Sequence, residues 1–346
     1  MKILITGNLG YIGPSLVKEI RSSYPMAEIV GIDLGLFSHC ITGANIIPEV
    51  NLDKQIYKDV RHITIDDLNE FDSVIHLAAI SNDPMGQSFK KITDEINFQS
   101  SIKVAELSKK AGVKNYVFAS SCSVYGEASE HAKVEEDNLN PLTAYAKSKI
   151  DTEIGLRGLE SEDFVITCLR FATACGFTER TRLDLVLNDF VADAVLNGEI
   201  NILSDGSPWR PLINTKDMAR AANWALDRDF KNGGAYCVAN IGSNDWNYQV
   251  KDLAYAVSDI IGGTNVSINK NAQPDKRSYK VDFSKFHELA PDYQPKENLE
   301  STIKELKEGI LNMGLIDKNF RDSSYIRLNV LKSHINSKKF DNSLLI

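Results

Sequence analysis

Short runs of consecutive apolar, β-favouring residues recur along the chain: KILIT at 2–6, EIVGI at 28–32, SVIHL at 73–77, NYVFA at 115–119 and FVITCL at 164–169. Longer segments with helical periodicity lie between most of them, as where Phe98, Ile102 and Ala105 share one face before a stop at Gly112. Strands that are apolar throughout, and not alternating, are those buried on both faces of a sheet. The alternation predicts an α/β fold, a doubly wound parallel sheet with helices on both sides. After about residue 175 the rhythm changes to helical stretches, LVLNDFVADAVLNG and TKDMARAANWALD, separated by loops rich in Gly, Pro, Asn and Asp. This part reads as a smaller region placed around a few returning strands. Its most distinctive loops are SDGSPWRPLINTKD at 204–217 and NAQPDKRSYKVDFSK at 271–285. The segment 301–346 ends in a charged, amphipathic run and reads as a helical tail, either docked on the body or serving as a partner-binding arm.

Composition narrows the classes. The chain has 346 residues, 43% hydrophobic and 25% charged, which is ordinary globular composition with length for a substantial core. A net charge of -8 argues against a general nucleic-acid or anionic-membrane surface, while leaving room for a local basic pocket. Cys40, Cys122, Cys168, Cys175 and Cys237 are odd in number and scattered, with no metal-ligand spacing, so reduced thiols in a cytoplasmic protein and no metal are expected. The apolar run at the N-terminus is only a strand's length and leads straight into glycines, which a signal peptide would not do. No stretch approaches the roughly 20 apolar residues that span a bilayer.

The first strand leads into TGNLGYIGPSLVKEI, with Gly7, Gly10 and Gly13 at G-x-x-G-x-x-G spacing at the start of a helix. A dinucleotide diphosphate needs backbone N–H groups aimed from a helix N-terminus, and glycines let the chain turn and approach closely. The second strand runs into Asp33, placed to receive the hydroxyls of an adenosine ribose. A carboxylate there repels a 2′-phosphate, and no arginine follows in DLGLF, so NAD is favoured over NADP. Further along, Tyr145 and Lys149 in TAYAKSK are four residues apart, which stacks them on one face of a helix.

Together these residues resemble the extended short-chain dehydrogenase/reductase family, the nucleotide-sugar epimerases and dehydratases. The resemblance covers roughly residues 1–285. It rests on TGNLGYIG, DVR at 59–61, HLAAIS at 76–81, Asn97, FASSCSVYG at 118–126, YAKSK at 145–149, LRFATACG at 169–176 and WRPLINTKD at 209–217. It implies a Rossmann-type NAD-binding region at 1–175 that carries the catalytic residues. A mainly substrate-binding region at 176–300 follows, with segments returning to the core, and then the tail at 301–346. It also implies that Tyr145 is the acid/base, Lys149 its electrostatic partner and a ribose contact, and Ser121 the holder of the substrate oxygen. An adjacent ammonium together with oxidised nicotinamide favours phenolate, which suits that role. Cofactor contacts are implied for Tyr11 and Ile12 at the diphosphate, and for Asp59 and Val60 at adenine. They are implied as well for Leu77, Ala78, Ala79 and Ser81 along the dinucleotide, and for Asn97 near the active site. For a nucleotide sugar, Arg210 matches the family's diphosphate-binding arginine, with Arg277 and Asn188 as further candidates. Thr173 stands at a substrate position where many relatives have Asn.

Relatives that eliminate water carry Asp-Glu after the catalytic Ser or Thr, whereas this chain has Cys122 and Ser123. Neither replaces a carboxylate, so 4,6-dehydration is disfavoured. An epimerase that oxidises the sugar at carbon 4 and returns the hydride is the leading expectation, with a nucleotide-sugar dehydrogenase or 4-ketoreductase as the alternative. A dinucleotide-binding sensor without catalysis is a different class, against which the intact Ser121, Tyr145 and Lys149 set speaks. The family also implies a homodimer formed through the helices near 90–112 and 144–160.

Overall fold

A computed structural model describes residues 1–127, 131–269, 271–272 and 276–345. Residues 273–275 of the loop at 271–285 and residue 346 of the tail lie outside the described residues. Twelve strands follow in chain order: β1 (Lys2–Thr6), β2 (Glu28–Asp33), β3 (Lys54–Tyr57), β4 (Ser73–His76), β5 (Asn115–Ser121), β6 (Val165–Phe171), β7 (Thr173–Cys175), β8 (Glu199–Ile202), β9 (Trp209–Asn214), β10 (Tyr236–Ile241), β11 (Asn247–Gln249) and β12 (Asn265–Ile268). The helices are α1 (Gly13–Ser23), α2 (Asp83–Ser88), α3 (Lys90–Thr93), α4 (Ser100–Lys110), α5 (Ala144–Leu156), α6 (Val186–Asn197), α7 (Thr215–Leu226), α8 (Val250–Ile261), α9 (Ser284–Leu289), α10 (Leu299–Asn312) and α11 (Arg327–Asn336).

Seven strands form the main sheet in the order β10-β6-β5-β4-β1-β2-β3, every neighbouring pair parallel. The chain winds outward from β1 to β3, then restarts at β4 and winds the other way. The crevice at the carboxyl ends of β1 and β4 is therefore where ligands bind in such sheets. Alternate residues of β1 face opposite sides: Ile3 and Ile5 pack with Leu16, Ile20 and Met218, whereas Leu4 packs with Val30, Val74 and Tyr116. All three are fully buried, which explains the uninterrupted apolar run. A third core, built on Leu187, Ile200, Leu253 and Leu306, joins α6, α8 and α10 under the smaller sheets.

All five strands read from the sequence are present within two residues of their expected ends. The sheet holds two more. Lys54–Tyr57 is a part-exposed edge strand of two polar residues followed by two apolar ones, and Tyr236–Ile241 returns from the later part of the chain to pair with β6. Gly112 ends the predicted helix with a φ of 84°, and the segment before α4, Asp94–Gln99, is wound as a π-helix.

One buried ion pair fastens α5 to the sheet. Arg170 on β6 meets both carboxylate oxygens of Glu153 on α5, the shortest contact being 2.7 Å, and both side chains are 5% exposed. Glu153 also accepts the hydroxyl of Ser120 on β5 at 2.5 Å, and Arg170 donates to the Tyr125 hydroxyl at 3.0 Å. Arg170→Leu strands the Glu153 carboxylate in the interior and is expected to cost about 3–5 kcal/mol. Urea denaturation at neutral pH measures it, and the double variant with Glu153→Leu should recover much of the loss.

Candidate functional site

Thr6 ends β1, and the chain turns at Gly7, whose φ of 76° and contact with the Ala78 backbone exclude a side chain: a Cβ there would lie 2.5 Å from the Ala78 nitrogen. Pro14 sits in the first turn of α1, which has no side-chain cap and no acidic residue, so its leading N–H groups remain for an anion. The open cradle of glycine backbone and uncapped helix fits a dinucleotide diphosphate. At the end of β2, Asp33 accepts the Gly35 N–H at 2.7 Å and the Leu9 N–H at 3.1 Å, which aims its carboxylate across the crevice. Burial pushes its pKa up, and those two amides pull the other way.

A cavity of about 830 Å³ runs from Asp33 past Gly7, Gly10, Tyr11 and Ile12 to Tyr145 and Arg210. Asp59, Val60, Leu77, Ala78, Ala79, Ser81, Ser121, Lys149, Thr173 and Arg277 also line it. Three residues expected at the site do not. Gly13 packs α1 onto the phosphate loop, where a Cβ would fall 1.8 Å from the Asn8 carbonyl oxygen. Asn97 is fully buried and spends its amide on the Ile80 N–H, the Ile80 carbonyl and the Ser148 hydroxyl. Asn188 is likewise buried, accepting the Gly176 N–H and donating to Tyr11 and Arg182. These two asparagines satisfy backbone that would otherwise be unpaired in the interior.

Two further side chains are already engaged. Asp59 forms a two-pronged pair with Arg61, closest at 2.6 Å, and Arg277 pairs with Asp83 at 3.0 Å. Tyr11 donates its hydroxyl to the Gly176 carbonyl, so its part at a diphosphate falls to its backbone.

At the other end of the cavity Thr143 caps α5, accepting the Ala146 N–H at 3.1 Å and donating to Asp83 at 2.6 Å. Tyr145 and Lys149 follow on the same face, with the Lys149 ammonium 5.6 Å from the Tyr145 ring centre and 4.7 Å from that of Phe118. It donates to the Ala119 carbonyl at 2.7 Å. Burial pushes the Lys149 pKa down to about 7, with Glu153 opposing. Burial pushes the Tyr145 phenol up to about 12, a hydrogen bond with Ser121 opposing. With Lys149 turned to Ala119, desolvation dominates at the phenol of the protein by itself.

Sequence reasoning passed over several lining residues. Arg182 donates to the Ser81 hydroxyl at 2.9 Å and pairs with Asp184. Tyr279 is buried in the cavity wall, while Ser123, which the sequence had already marked beside Cys122, keeps a buried hydroxyl with no hydrogen-bond partner among the described residues. Arg327 arrives from the tail. The basic run ERTR at 179–182 was the one local signal for Arg182; the others are assembled only by the fold. Among the described residues no group of His, Cys, Asp or Glu is arranged to hold a metal, and no helix is long and apolar enough to cross a membrane.

Residues 3–242 match the model of the NAD dependent epimerase/dehydratase family. The chain is 24% identical over 280 residues to the UDP-glucose 4-epimerase of Corynebacterium glutamicum, covering 76% of this chain and 81% of that one. It is 26% identical over 303 residues to the UDP-N-acetyl-alpha-D-glucosaminuronate decarboxylase of Bacillus cytotoxicus, covering 84% and 89%. Among solved structures, UDP-glucuronic acid 4-epimerase from Bacillus cereus, in complex with UDP-glucuronic acid and NAD, superposes with a TM-score of 0.75 at 23% identity, covering 90% of this chain and 100% of that one.

The depressed pKa of Lys149 has a consequence for stability. The unfolded chain holds the lysine proton up to about pH 10.5 while the folded one releases it near 7, so this group makes stability rise with pH above 7. In Lys149→Met that rise is removed. Urea unfolding at pH 7.0 and 8.5 should show the parent gaining stability relative to the variant, a comparison in which the thiols common to both proteins cancel.

Proposed function

This chain belongs to the NAD dependent epimerase/dehydratase family, a family of enzymes, and from that premise we propose that it is a nucleotide-sugar epimerase. The reading takes the sugar hydroxyl, expected at carbon 4, to be oxidised transiently and restored on the opposite face. The observation that carries it lies beside Tyr145. Where an elimination needs paired carboxylates, Cys122 is fully buried with its thiol donating to the Arg170 carbonyl, its pKa raised by burial, and Ser123 offers only a hydroxyl. That wall supports hydride transfer without supplying a base for loss of water.

Ser121 holds the substrate oxygen against Tyr145, which takes the hydroxyl proton as phenolate, the form that the positive charge of an oxidised nicotinamide and of Lys149 would favour, and later gives that proton back. NAD, when bound, accepts the hydride and returns it. Asp33 receives the adenosine ribose, the glycine loop holds the diphosphate, and Lys149 reaches the nicotinamide ribose. Val60, Leu77, Ala78 and Ala79 provide the apolar wall, with Asp59 beside adenine. Arg210, Arg277 and Thr173 face the sugar nucleotide. The names of the relatives, a UDP-glucose 4-epimerase among them, make UDP-sugars the first substrates to try.

Nuclear magnetic resonance on UDP-hexoses deuterated at carbon 4 is expected to show the 4-epimer with the label retained. Release of a ketone would establish the dehydrogenase or ketoreductase alternative instead, and no turnover at all would sink both. Tyr145→Phe should lower turnover about 10²- to 10⁴-fold with NAD content unchanged. Full activity in that variant rules out its acid/base role.

A homodimer in the cytoplasm completes the reading. α5 packs tightly on the preceding helical segment at Gly155, where a Cβ would come 2.7 Å from the end of Ile102, and Ile154 beside it is 67% exposed. All five cysteines are buried free thiols, as a reducing compartment allows. Light scattering should give a dimer for the parent and a monomer for Ile154→Arg; a monomeric parent contradicts the interface.

A further inference from the structure

The tail runs across the adenosine end of the cofactor crevice. His334 on α11 makes a 2.8 Å hydrogen bond with the Leu36 carbonyl, in the loop that follows Asp33. Leu331 and Leu344 are fully buried in the same core as Leu4 and Val30 of the main sheet. Beyond α11, Arg61 donates to the carbonyls of Ser343 at 2.8 Å and Leu344 at 3.1 Å, and the same arginine grips Asp59 in the cavity wall. The segment is thus fastened to the ends of both β2 and β3.

The first residue of α11 is the informative one. Arg327 is 1% exposed, lines the cavity, and lies with its guanidinium 5.2 Å from the centre of the Phe37 ring. It donates to the carbonyls of Arg180 at 2.8 Å and Ser324 at 3.2 Å. Two other buried arginines stand near it, and each has its own carboxylate: Arg180 pairs with Glu49 and Arg182 with Asp184, both at 2.8 Å. Among the described residues no carboxylate pairs with Arg327. Burial lowers its pKa to about 10, and the charges of Arg182 and Arg180 push the same way. Three cations share two anions out of water, an arrangement that is costly unless an anion joins them.

We propose that Arg327 binds the diphosphate of the dinucleotide, and that the tail is a strap which holds NAD in its crevice. Location selects this anion: Arg327 abuts Phe37, which follows the ribose-binding Asp33, and it lines the same cavity as the uncapped start of α1. The guanidinium and the α1 amides together supply donors to phosphate oxygens that the glycine loop by itself supplies from the backbone. The proposal rests on NAD lying along this crevice and does not depend on which sugar is turned over.

Calorimetric titration of nucleotide-free enzyme with ADP-ribose and with adenosine tests it, since only the first carries the diphosphate. In Arg327→Gln, ADP-ribose is expected to bind at least about tenfold more weakly while adenosine stays within about twofold. Unchanged ADP-ribose affinity, or equal losses for both ligands, overturns the proposal. Should the variant not fold, hydrogen exchange in the unsubstituted protein decides. The amides of 327–336 should slow with saturating ADP-ribose and not with adenosine, and exchange indifferent to ADP-ribose overturns the strap. A parent enzyme that ignores ADP-ribose altogether refutes the crevice assignment itself, whereas failure confined to Arg327→Gln refutes the strap alone.

Discussion

The geometry of the site depends on the buried pair between Glu153 and Arg170. Glu153 stands one turn after Lys149 and two after Tyr145, on the helix that carries both, and through Ser120 it reaches the residue next to Ser121. Arg170 anchors that carboxylate from β6 and continues to Tyr125, which donates to Asn240 on β10 at 2.7 Å. One charge-assisted network therefore sets the distance between the helix and the ends of three adjacent strands. A purely apolar contact would fill the same space without fixing rotation of α5 about its axis, and it is that rotation which decides whether the phenol faces the cavity.

Burial does two things at once here. It makes the cavity a place where charges interact strongly, and it penalises the charged forms of the groups that would use them. Tyr145 and Lys149 both show the penalty, one held toward the neutral phenol and the other toward the neutral amine. The pair is consequently set to respond to whatever charge enters the cavity.

Much of this was legible in the sequence where the signal was local. The apolar strands, the glycine spacing, Asp33 at the end of a strand and Tyr145 with Lys149 at helical spacing each depend on neighbours a few residues away. Strand β3 escaped because Lys54–Tyr57 is a short edge strand with one neighbour and little apolar surface to bury, and β10 because it returns late in the chain. Asn97 and Asn188 were misplaced for a different reason: a buried amide that pins backbone looks, in sequence, like one that waits for a ligand. Arg182, Tyr279 and Arg327 enter the cavity from segments far apart in the chain, and periodicity has no access to that.

The return of β10 to the main sheet also governs how the molecule comes apart and together. Its partner β6 is buried at every residue, so it has the character of an interior strand: its one charge, Arg170, is spent inward on Glu153, and it has no proline to protect an edge. A chain that has made β6 without β10 presents an unpaired row of peptide groups flanked by apolar side chains. Until residues 236–241 dock, the growing protein is open to strand-to-strand association with its own kind, and the long intervening segment makes that closure a slow, non-local event. The main sheet and the part of the chain after residue 175 are thus interlocked by threading, and a cut near residue 175 removes a strand from the sheet and does not release a self-contained unit.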